Sequence, residues 1–304
     1  MKSIPAVQVS AEHVVWEFDP STPPAARMSS GETVLFAIRD CYDRQIHSRD
    51  DLRSLIDGSR INPATGPVEI AGAQPGQCLA VEILKLEPEP KGLMPLSPGL
   101  GILGSQVTEE STLILDIADG RVRFPGGIEA PLAPLIGVIG VAPARGPVRT
   151  VFPGDHGGNM DLREMRPGTT LYLPVFAPGA GLCLGDIHGR SGDGELGGNG
   201  IETGGECLCR VTVVEGLPHG GRSWPVRRPV LERDHHLYFI ASAKDINDAI
   251  QTAMRDAVEF VMAVRGVPFE IAYRAVSVLG DIRIAQVVNE LATVKMVLDM
   301  REFS

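Results

Sequence analysis

Short alternating or β-branched runs recur along the chain and predict many strands. They cover His13–Phe18, Thr33–Asp40, Cys78–Leu86, Thr112–Ile117, Arg121–Phe124, Thr169–Val175, Leu182–His188, Cys207–Glu215 and His236–Ser242. Glycine and proline, 35 and 24 of 304 residues, separate these runs, which is typical of strands joined by tight turns. Ala118–Gly120 predicts a hairpin turn, and the proline- and glycine-rich stretch Leu86–Gly104 predicts a long surface loop.

One segment follows helical spacing instead. From Lys244 to Val264, apolar residues recur every three or four positions. Ser242 with Asp245 three positions later resembles a capping box, and a glycine at 266 can end the helix. A second short helix is expected from Pro268 to Gly280, followed by strands at 282–288 and 294–298. We therefore expect an α+β segment at about 243–304 within a single unit spanning 1–304.

Charge and composition exclude several classes of function. The formal net charge of −10 and the aromatic share of 5% argue against a nucleic-acid surface. No apolar run reaches the ~18 residues that a membrane-spanning helix needs, and the first residues lack the long apolar core of a secretory signal. An odd number of cysteines, five, indicates reduced thiols, so we expect a cytoplasmic protein.

Glycines, acids and histidines concentrate in the middle of the chain. Fifteen of the 35 glycines lie between Gly154 and Gly205. Among them stand His156, Asp161, Asp186, His188, Asp193, Glu195, Glu202 and Glu206. Glycine allows tight turns and close backbone approach, while carboxylates and imidazoles bind metal ions or move protons. The stretch therefore indicates a functional site.

Spacing within this stretch favours a metal centre. Asp186 and His188 lie two apart on a predicted strand, so both side chains point to one face. The turn after them can return Glu195 to the same point, and His156 and Asp161 lie on an upstream glycine turn. A mixed Asp/His set suits zinc with an open water position, whereas a set richer in oxygen suits calcium. Glu195 is then a free carboxylate able to take a proton from water.

Two other interpretations of the stretch are weaker. Gly192–Gly197 fits the G-x-G-x-x-G pattern of dinucleotide sites, but no helix is expected to follow it. Acids and glycines also form ordinary turns, yet turns do not require two histidines among several acids. Outside the stretch, Asp40 ends the apolar run TVLFAIRD and can present a carboxylate at a strand end.

The motifs in this region resemble those of the acetamidase/formamidase family. The stretches are FPGDHGGNMD from Phe152 and LYLPVFAPGAGLCLGDIHGRSGDGE ending at Glu195. The resemblance extends to GETVLFAIRD, NPATGPVEIAGAQPG, GVIGVAP and DIRIAQVVN in the same order, and so covers essentially the whole chain. Departures from the family pattern are Gln77, where Asp is usual, and Arg190-Ser191 after the His188 motif.

The resemblance implies a mainly β fold, a jelly-roll-like β-sandwich with a small β-barrel part and a C-terminal α+β segment. It also implies metal-dependent hydrolysis of short aliphatic amides to a carboxylate and ammonia. By position, it implies Asp40, Asp161, Asp186 and His188 as metal ligands and Glu195 with His156 as the acid/base pair. Zinc is the expected ion, with calcium as the alternative.

Three functions are compatible with these features. The first is hydrolysis of a formamide- or acetamide-type amide; the second is a non-catalytic module that binds a metal or small ligand; the third is hydrolysis of a larger or cyclic amide. One methyl group in a pocket changes binding by only about 1–3 kcal/mol, so the sequence does not select the amide. The expected partners are the small amide and further copies of the chain in a homo-oligomer, with neither nucleic acid nor membrane.

Overall fold

A computed structural model describes residues 6–303 of the chain. Two helices and 24 strands form in this part. The strands are β1 Val7–Val9, β2 Val14–Val15, β3 Glu17–Phe18, β4 Ala26–Ser29, β5 Thr33–Ile38, β6 Ala64–Ala71, β7 Cys78–Pro88, β8 Lys91–Leu96, β9 Ser111–Ala118, β10 Arg121–Arg123, β11 Glu129–Pro131, β12 Leu135–Gly140, β13 Val148–Arg149, β14 Gly157–Asn159, β15 Thr170–Pro174, β16 Leu182–His188, β17 Glu202–Thr203, β18 Gly205–Val214, β19 Leu217–His219, β20 Arg222–Trp224, β21 Val230–Arg233, β22 His236–Ala243, β23 Gly280–Gln286 and β24 Ala292–Asp299. The helices are α1 Ile246–Arg265 and α2 Phe269–Leu279.

Two large sheets face each other. The first has the strand order β1-β5-β18-β7-β15-β21-β22-β24-β23, and the second runs β11-β10-β9-β8-β17-β16-β12-β14 with β6, β2 and β4 branching from β16. Apolar side chains of both sheets form one core, with Phe36 and Val81 from the first and Ile139 and Leu184 from the second. Every second side chain of a strand such as β5 is buried there, because successive residues point to opposite faces.

The predicted fold class, a mainly β-sandwich with a C-terminal α+β segment, is confirmed. The small barrel is a correction: within residues 6–303 neither large sheet closes on itself. Closure needs a hydrogen-bonded partner on both sides of every strand. The second sheet instead ends at β11 and β14 and branches at β6.

The predicted long helix is confirmed as α1, but its start differs from the predicted one. Asp245 caps it by accepting a hydrogen bond from the backbone N–H of Asn247 at 2.8 Å. Ser242 instead belongs to β22 and bonds the hydroxyl of Thr293 across the sheet at 2.9 Å. Gly266 ends the helix with φ 64°, a left-handed conformation that favours glycine.

Leu86–Gly104 was wrongly predicted as one long loop. β7 continues to Pro88, and β8 pairs with β9 over its whole length. Pro95 lies within β8 and is buried. Proline and glycine content masked this short strand, in which Gly92 and Leu93 are also buried.

The C-terminal segment joins the first sheet and reaches the glycine-rich stretch. α1 packs on β22 and β24, and β23 is the last strand of the sheet. The far end of β23 bonds the glycine-rich loop, since Gly194 N–H donates to Ala285 at 2.9 Å and Val287 N–H donates to Gly194 at 3.2 Å. Neither α1 nor α2 is long and apolar enough to cross a membrane.

Asp256 on the buried face of α1 gives a test of this packing. Burial raises the pKa of its carboxyl to about 6, although Arg228 at 3.3 Å opposes the shift. Because the folded pKa lies above the unfolded one, the free energy of unfolding should fall as pH rises from about 4 to 6. Asp256→Asn should remove this part of the pH dependence in denaturant titrations. The control Glu270→Gln removes an exposed carboxyl of α2 that is not among the groups acting on Asp256, and it should keep the wild-type profile.

Candidate active site

The site is built where three strands of the second sheet meet. β16 ends in Asp186-Ile187-His188, and β12 and β17 flank it. His188 lies directly opposite Glu202 of β17, so the two side chains share one face of the sheet. Asp161 follows β14, which pairs with the other side of β12. Strand pairing therefore brings together residues that are up to 41 positions apart in the chain.

The imidazole of His188 lies at the centre of four buried carboxylates. Its Nε2 is 3.2 Å from Asp186 Oδ1, 3.2 Å from Glu202 Oε2 and 4.0 Å from Asp161 Oδ1. Its Nδ1 is 3.5 Å from Glu195 Oε1. All five side chains are buried. The structure thus brings together four of the six predicted site residues and adds Glu202.

Two glycines make room for this group. A Cβ added to Gly137 on β12 would lie 2.6 Å from Asp161 Oδ1 and closer still to Asp186 Oδ2. A Cβ on Gly200 would lie 2.6 Å from His188 Nδ1. Real Cβ atoms do not approach other atoms this closely, so the site requires the bare backbone at both positions.

The backbone at three of these acids is in the left-handed region. Asp161 has φ 51°, Asp186 has φ 57° and Glu195 has φ 46°. Non-glycine residues seldom adopt such angles, and each costs on the order of 1 kcal/mol or more. Surrounding structure must hold them there, and strain of this kind concentrates at functional sites. The acids are therefore placed by the fold at some cost to its stability.

A buried lysine fixes the loop that carries Glu195. Lys295 on β24 is fully buried, and its Nζ lies 2.6 Å from Asp193 Oδ1 and 2.8 Å from Glu164 Oε2. Asp193 is two residues before Glu195, so β24 and β23 hold this loop through one ion pair and two backbone hydrogen bonds. The C-terminal segment thereby sets the position of the glutamate.

Burial and mutual repulsion govern the charges of the cluster. Burial, and then the charge of Glu195, raises the pKa of Asp161 well above its usual range, and burial with Asp186 does the same for Glu202. Burial opposes ionisation of His188 and Asp186 too. Nevertheless the carboxylates raise the pKa of His188, and the imidazole lowers that of Asp186. Four acids around one base leave excess negative charge, which a cation would offset.

Glu195 is the acid of the cluster whose pKa lies near neutral pH. Burial raises the pKa of its carboxyl to about 7, with His188 opposing the shift and Glu202 adding to it. An acid that titrates near neutral pH can both accept and donate a proton under ordinary conditions. Its carboxylate lies nearest to Nδ1 of His188, whereas the three other acids lie nearest to Nε2, and it also shares a hydrogen bond with Asp161.

A small cavity of about 100 Å³ opens onto these residues. Its wall comprises Cys41, Tyr42, Arg53, Ile61, Asn62, Val151, Asn159, Asp161, Asp186, His188, Glu195, Gly198, Asn199, Glu202 and Asn289. Asn289 Nδ2 lies 3.4 Å from Asp161 Oδ2 and can donate to it. With its amide turned over, Asn159 donates to both oxygens of Asp161 and accepts from Asn62 and Asn289.

Asp40 and His156 lie elsewhere. Asp40 accepts backbone hydrogen bonds from Tyr42 at 2.9 Å and Arg44 at 3.2 Å, and its side chain faces a neighbouring cavity. His156 is buried edge-on against Phe18, with ring centroids 5.0 Å apart, and burial lowers its pKa to about 4. Among residues 6–303, the wall of the small cavity includes neither of them.

Sequence reasoning assigned no role in the site to Cys41, Glu202 or Asn289, all of which line the cavity. Cys41, one residue after Asp40, has its thiol in the cluster with Asp186 and Glu202. The chain turns between β5 and Cys41, so strand alternation gave no means of choosing between 40 and 41. Glu202 was among the clustered acids, but its pairing with His188 depends on β17, which is two residues long. Asn289 carried no local signal, because it comes from the C-terminal segment.

The donor set fits a divalent cation. Asp161, Asp186 and His188 offer one ligand atom each within 4.8 Å of one another, and so do His188, Glu195 and Glu202. Within the described residues, Glu202 Oε2 and His188 Nδ1 are buried without a hydrogen-bond partner. Buried polar atoms are almost always satisfied, so the unpaired Glu202 oxygen fits a metal ligand. Imidazole with carboxylates suits zinc and other borderline ions.

Comparison with known proteins identifies the fold and the family together. The model of the acetamidase/formamidase family matches residues 5–146 and 144–301, nearly the whole chain. The chain belongs to the acetamidase/formamidase family. Its amide-hydrolase class, expected from the motifs, is confirmed by this membership.

Solved structures and a named relative match most of the chain. The acetamidase of Bacillus halodurans superposes with a TM-score of 0.93 at 37% identity, over 97% of this chain and 98% of that one. A predicted acetamidase/formamidase of Thermoanaerobacter tengcongensis superposes with a TM-score of 0.92 at 36% identity, over 98% of this chain and 97% of that one. The formamidase of Methylophilus methylotrophus is 24% identical over 76% of this chain and 72% of its own.

Gly137→Ala tests the requirement for bare backbone between the carboxylates. The added methyl group would overlap Asp161 and Asp186, and overpacking of this kind destabilises by roughly 1–3 kcal/mol. Gly192→Ala is the control, because a Cβ at 192 meets nothing within 4 Å. Denaturant unfolding should separate the two variants. Equal stabilities for both would contradict the crowded geometry at 137.

Lys295→Met tests the anchor of the glutamate loop. It leaves the buried Glu164 without its partner, a change that costs about 3–5 kcal/mol in comparable pairs. The double variant Lys295→Met, Glu164→Gln should recover part of this loss, since it removes the unpaired charge. Calorimetric unfolding measures both, and a Lys295→Met protein of wild-type stability would refute the anchoring role.

Proposed function

We propose that the chain hydrolyses short aliphatic amides of the formamide and acetamide type to a carboxylate and ammonia in a metal-dependent reaction. The observation that carries this proposal is the arrangement around His188. Three acids lie on the Nε2 side of the imidazole and a fourth, titrating near neutral pH, lies on the Nδ1 side. Family membership supports the same reaction.

The metal ligands in this proposal are Asp161, Asp186, His188 and Glu202. This set replaces Asp40 by Glu202, because the oxygens of Asp40 already accept hydrogen bonds from the turn that follows it. Zinc is favoured over calcium, since an imidazole takes one position and calcium prefers oxygen ligands alone. A bound ion of this kind supplies Lewis-acid polarisation of the amide carbonyl and lowers the pKa of water.

Glu195 is the proposed acid–base group. Its carboxylate accepts a proton from the attacking water and passes the proton to the departing nitrogen, which leaves as ammonia. A pKa of about 7 suits both transfers. Asn159 and Asn289 orient Asp161 through their amides. We assign His156 a supporting role, because its imidazole lies against Phe18 and is neutral at pH 7.

A cavity of about 100 Å³ suits a small amide. A larger acyl group is the second candidate, and one observation favours it. A further cavity of about 380 Å³ shares Glu195 and Asn199 with the first and has an apolar wall that includes Met94, Phe124 and Leu196. Rates of ammonia release for amides of one to six carbons would decide: a maximum at formamide or acetamide supports the short class, and a maximum at longer chains supports the larger one.

We expect the enzyme to act in the cytoplasm. We also expect it to form a homo-oligomer. All five cysteines are buried free thiols, and Cys207 Sγ lies 3.4 Å from Cys209 Sγ without a bond between them. A reducing compartment maintains thiols in this state.

Glu195→Gln tests the mechanism. It keeps the shape of the side chain but removes proton transfer, so ammonia release should fall by roughly 10²–10⁴-fold. The metal content measured by elemental analysis should be retained, because the four ligands are untouched. Glu206→Gln, in the same stretch but exposed, is the control and should keep wild-type turnover. Unchanged turnover in Glu195→Gln with metal retained would remove this residue from the mechanism.

A further inference from the structure

An apolar surface lies on α2 and on β23 before the glutamate loop meets that strand at Ala285. Of the 13 large apolar side chains exposed in residues 6–303, seven fall here, which makes it the main exposed apolar patch described. They are Phe269, Ile271, Tyr273, Val278, Leu279, Ile282 and Ile284. Val278 is 80% exposed and Ile282 is 45% exposed. Patches of this kind on a folded protein mark interaction surfaces.

β23 also provides a free strand edge beside this patch. It is the terminal strand of the nine-stranded sheet and pairs with β24 on one side. Gly194 covers the far end of its other side at Ala285 and Val287. The uncovered stretch is therefore 280–284, and its midpoint is Ile282. An open edge of this kind can pair with a strand of another chain.

The charges on this edge are self-complementary. Asp281 and Arg283 flank Ile282 and are both exposed, with Arg283 Nη2 3.9 Å from Asp281 Oδ2 within the chain. If two copies of the edge pair antiparallel about Ile282, Asp281 faces the partner's Arg283, and Arg283 faces the partner's Asp281. A two-fold interface requires such self-complementarity, since the same patch lies on both sides.

We propose that two copies of the chain associate through β23, antiparallel and centred on Ile282, so that their nine-stranded sheets join and the apolar side chains of α2 and β23 are covered. Ile282 and Ile284 are paired with Met296 and Val294 of β24 and so point to the same face as these side chains, the face on which α1 and α2 pack. This interface is independent of the proposed hydrolysis, so the failure of either is detected separately.

A charge-swap series tests the pairing. Asp281→Arg places like charges opposite each other twice per interface and should raise the dissociation constant of the dimer roughly tenfold. Arg283→Asp should do the same, and the double variant Asp281→Arg, Arg283→Asp should restore the wild-type value. The control Leu55→Lys alters an equally exposed apolar residue elsewhere and should have no effect. Sedimentation velocity measures association, and thermal unfolding verifies that each variant is folded.

Cross-linking tests the register. Directly opposite residues of antiparallel strands have Cα atoms roughly 4.5–5.5 Å apart, within disulfide range, whereas two copies of residue 284 would be about 13 Å apart along the strands. Ile282→Cys should therefore form a covalent dimer on oxidation and Ile284→Cys should not, and the native cysteines are buried. A monomeric wild type, a dimer unaffected by Asp281→Arg, or equal cross-linking at 282 and 284 would overturn the proposal.

Discussion

The concentration of negative charge around His188 is the constraint on which the rest of the structure depends. Four carboxylates that are buried in a β-sandwich repel one another, and a single imidazole offsets only part of their charge. Burial, together with this repulsion, raises the pKa of Asp161 and of Glu202. A divalent cation would resolve it, because it would offer positive charge and a partner for the Glu202 oxygen that the chain leaves unpaired.

The fold around the cluster holds the acids close against this repulsion. β12 supplies Gly137, where a side chain would separate Asp161 from Asp186, and three acids are kept in left-handed backbone conformations. The C-terminal segment holds the loop that carries Glu195 through Lys295 and the backbone of β23. A segment that is remote in sequence is thus part of the site.

The spacing of apolar and turn residues predicted the elements whose formation depends on neighbouring positions in the chain. α1 and the β9–β10 hairpin follow from apolar spacing and turn residues, and the partnership of Asp186 with His188 follows from strand alternation. The contributions of Glu202, Cys41 and Asn289 could not be predicted in this way, because each depends on which strands become neighbours.

At Asp40, the hydrophobic pattern predicted the strand but not the turn that follows it. The strand before it was predicted correctly, but the strand ends at Ile38 and the turn directs the carboxylate into its own backbone N–H groups. Hydrophobic pattern specifies the strand but not the conformation of the turn that follows it. Gly92 and Leu93 were expected in a loop but lie in β8, because composition does not reveal that this strand pairs with β9.

Metal content of two variants tests the account most directly. Glu202→Gln removes a carboxylate that lies 3.2 Å from His188 Nε2, whereas Asp40→Asn alters one that is bonded to its own turn. Elemental analysis after dialysis should find metal retained by the wild type and by Asp40→Asn, and a clear loss in Glu202→Gln. Loss of metal from Asp40→Asn with full retention by Glu202→Gln would contradict the assignment of the ligands.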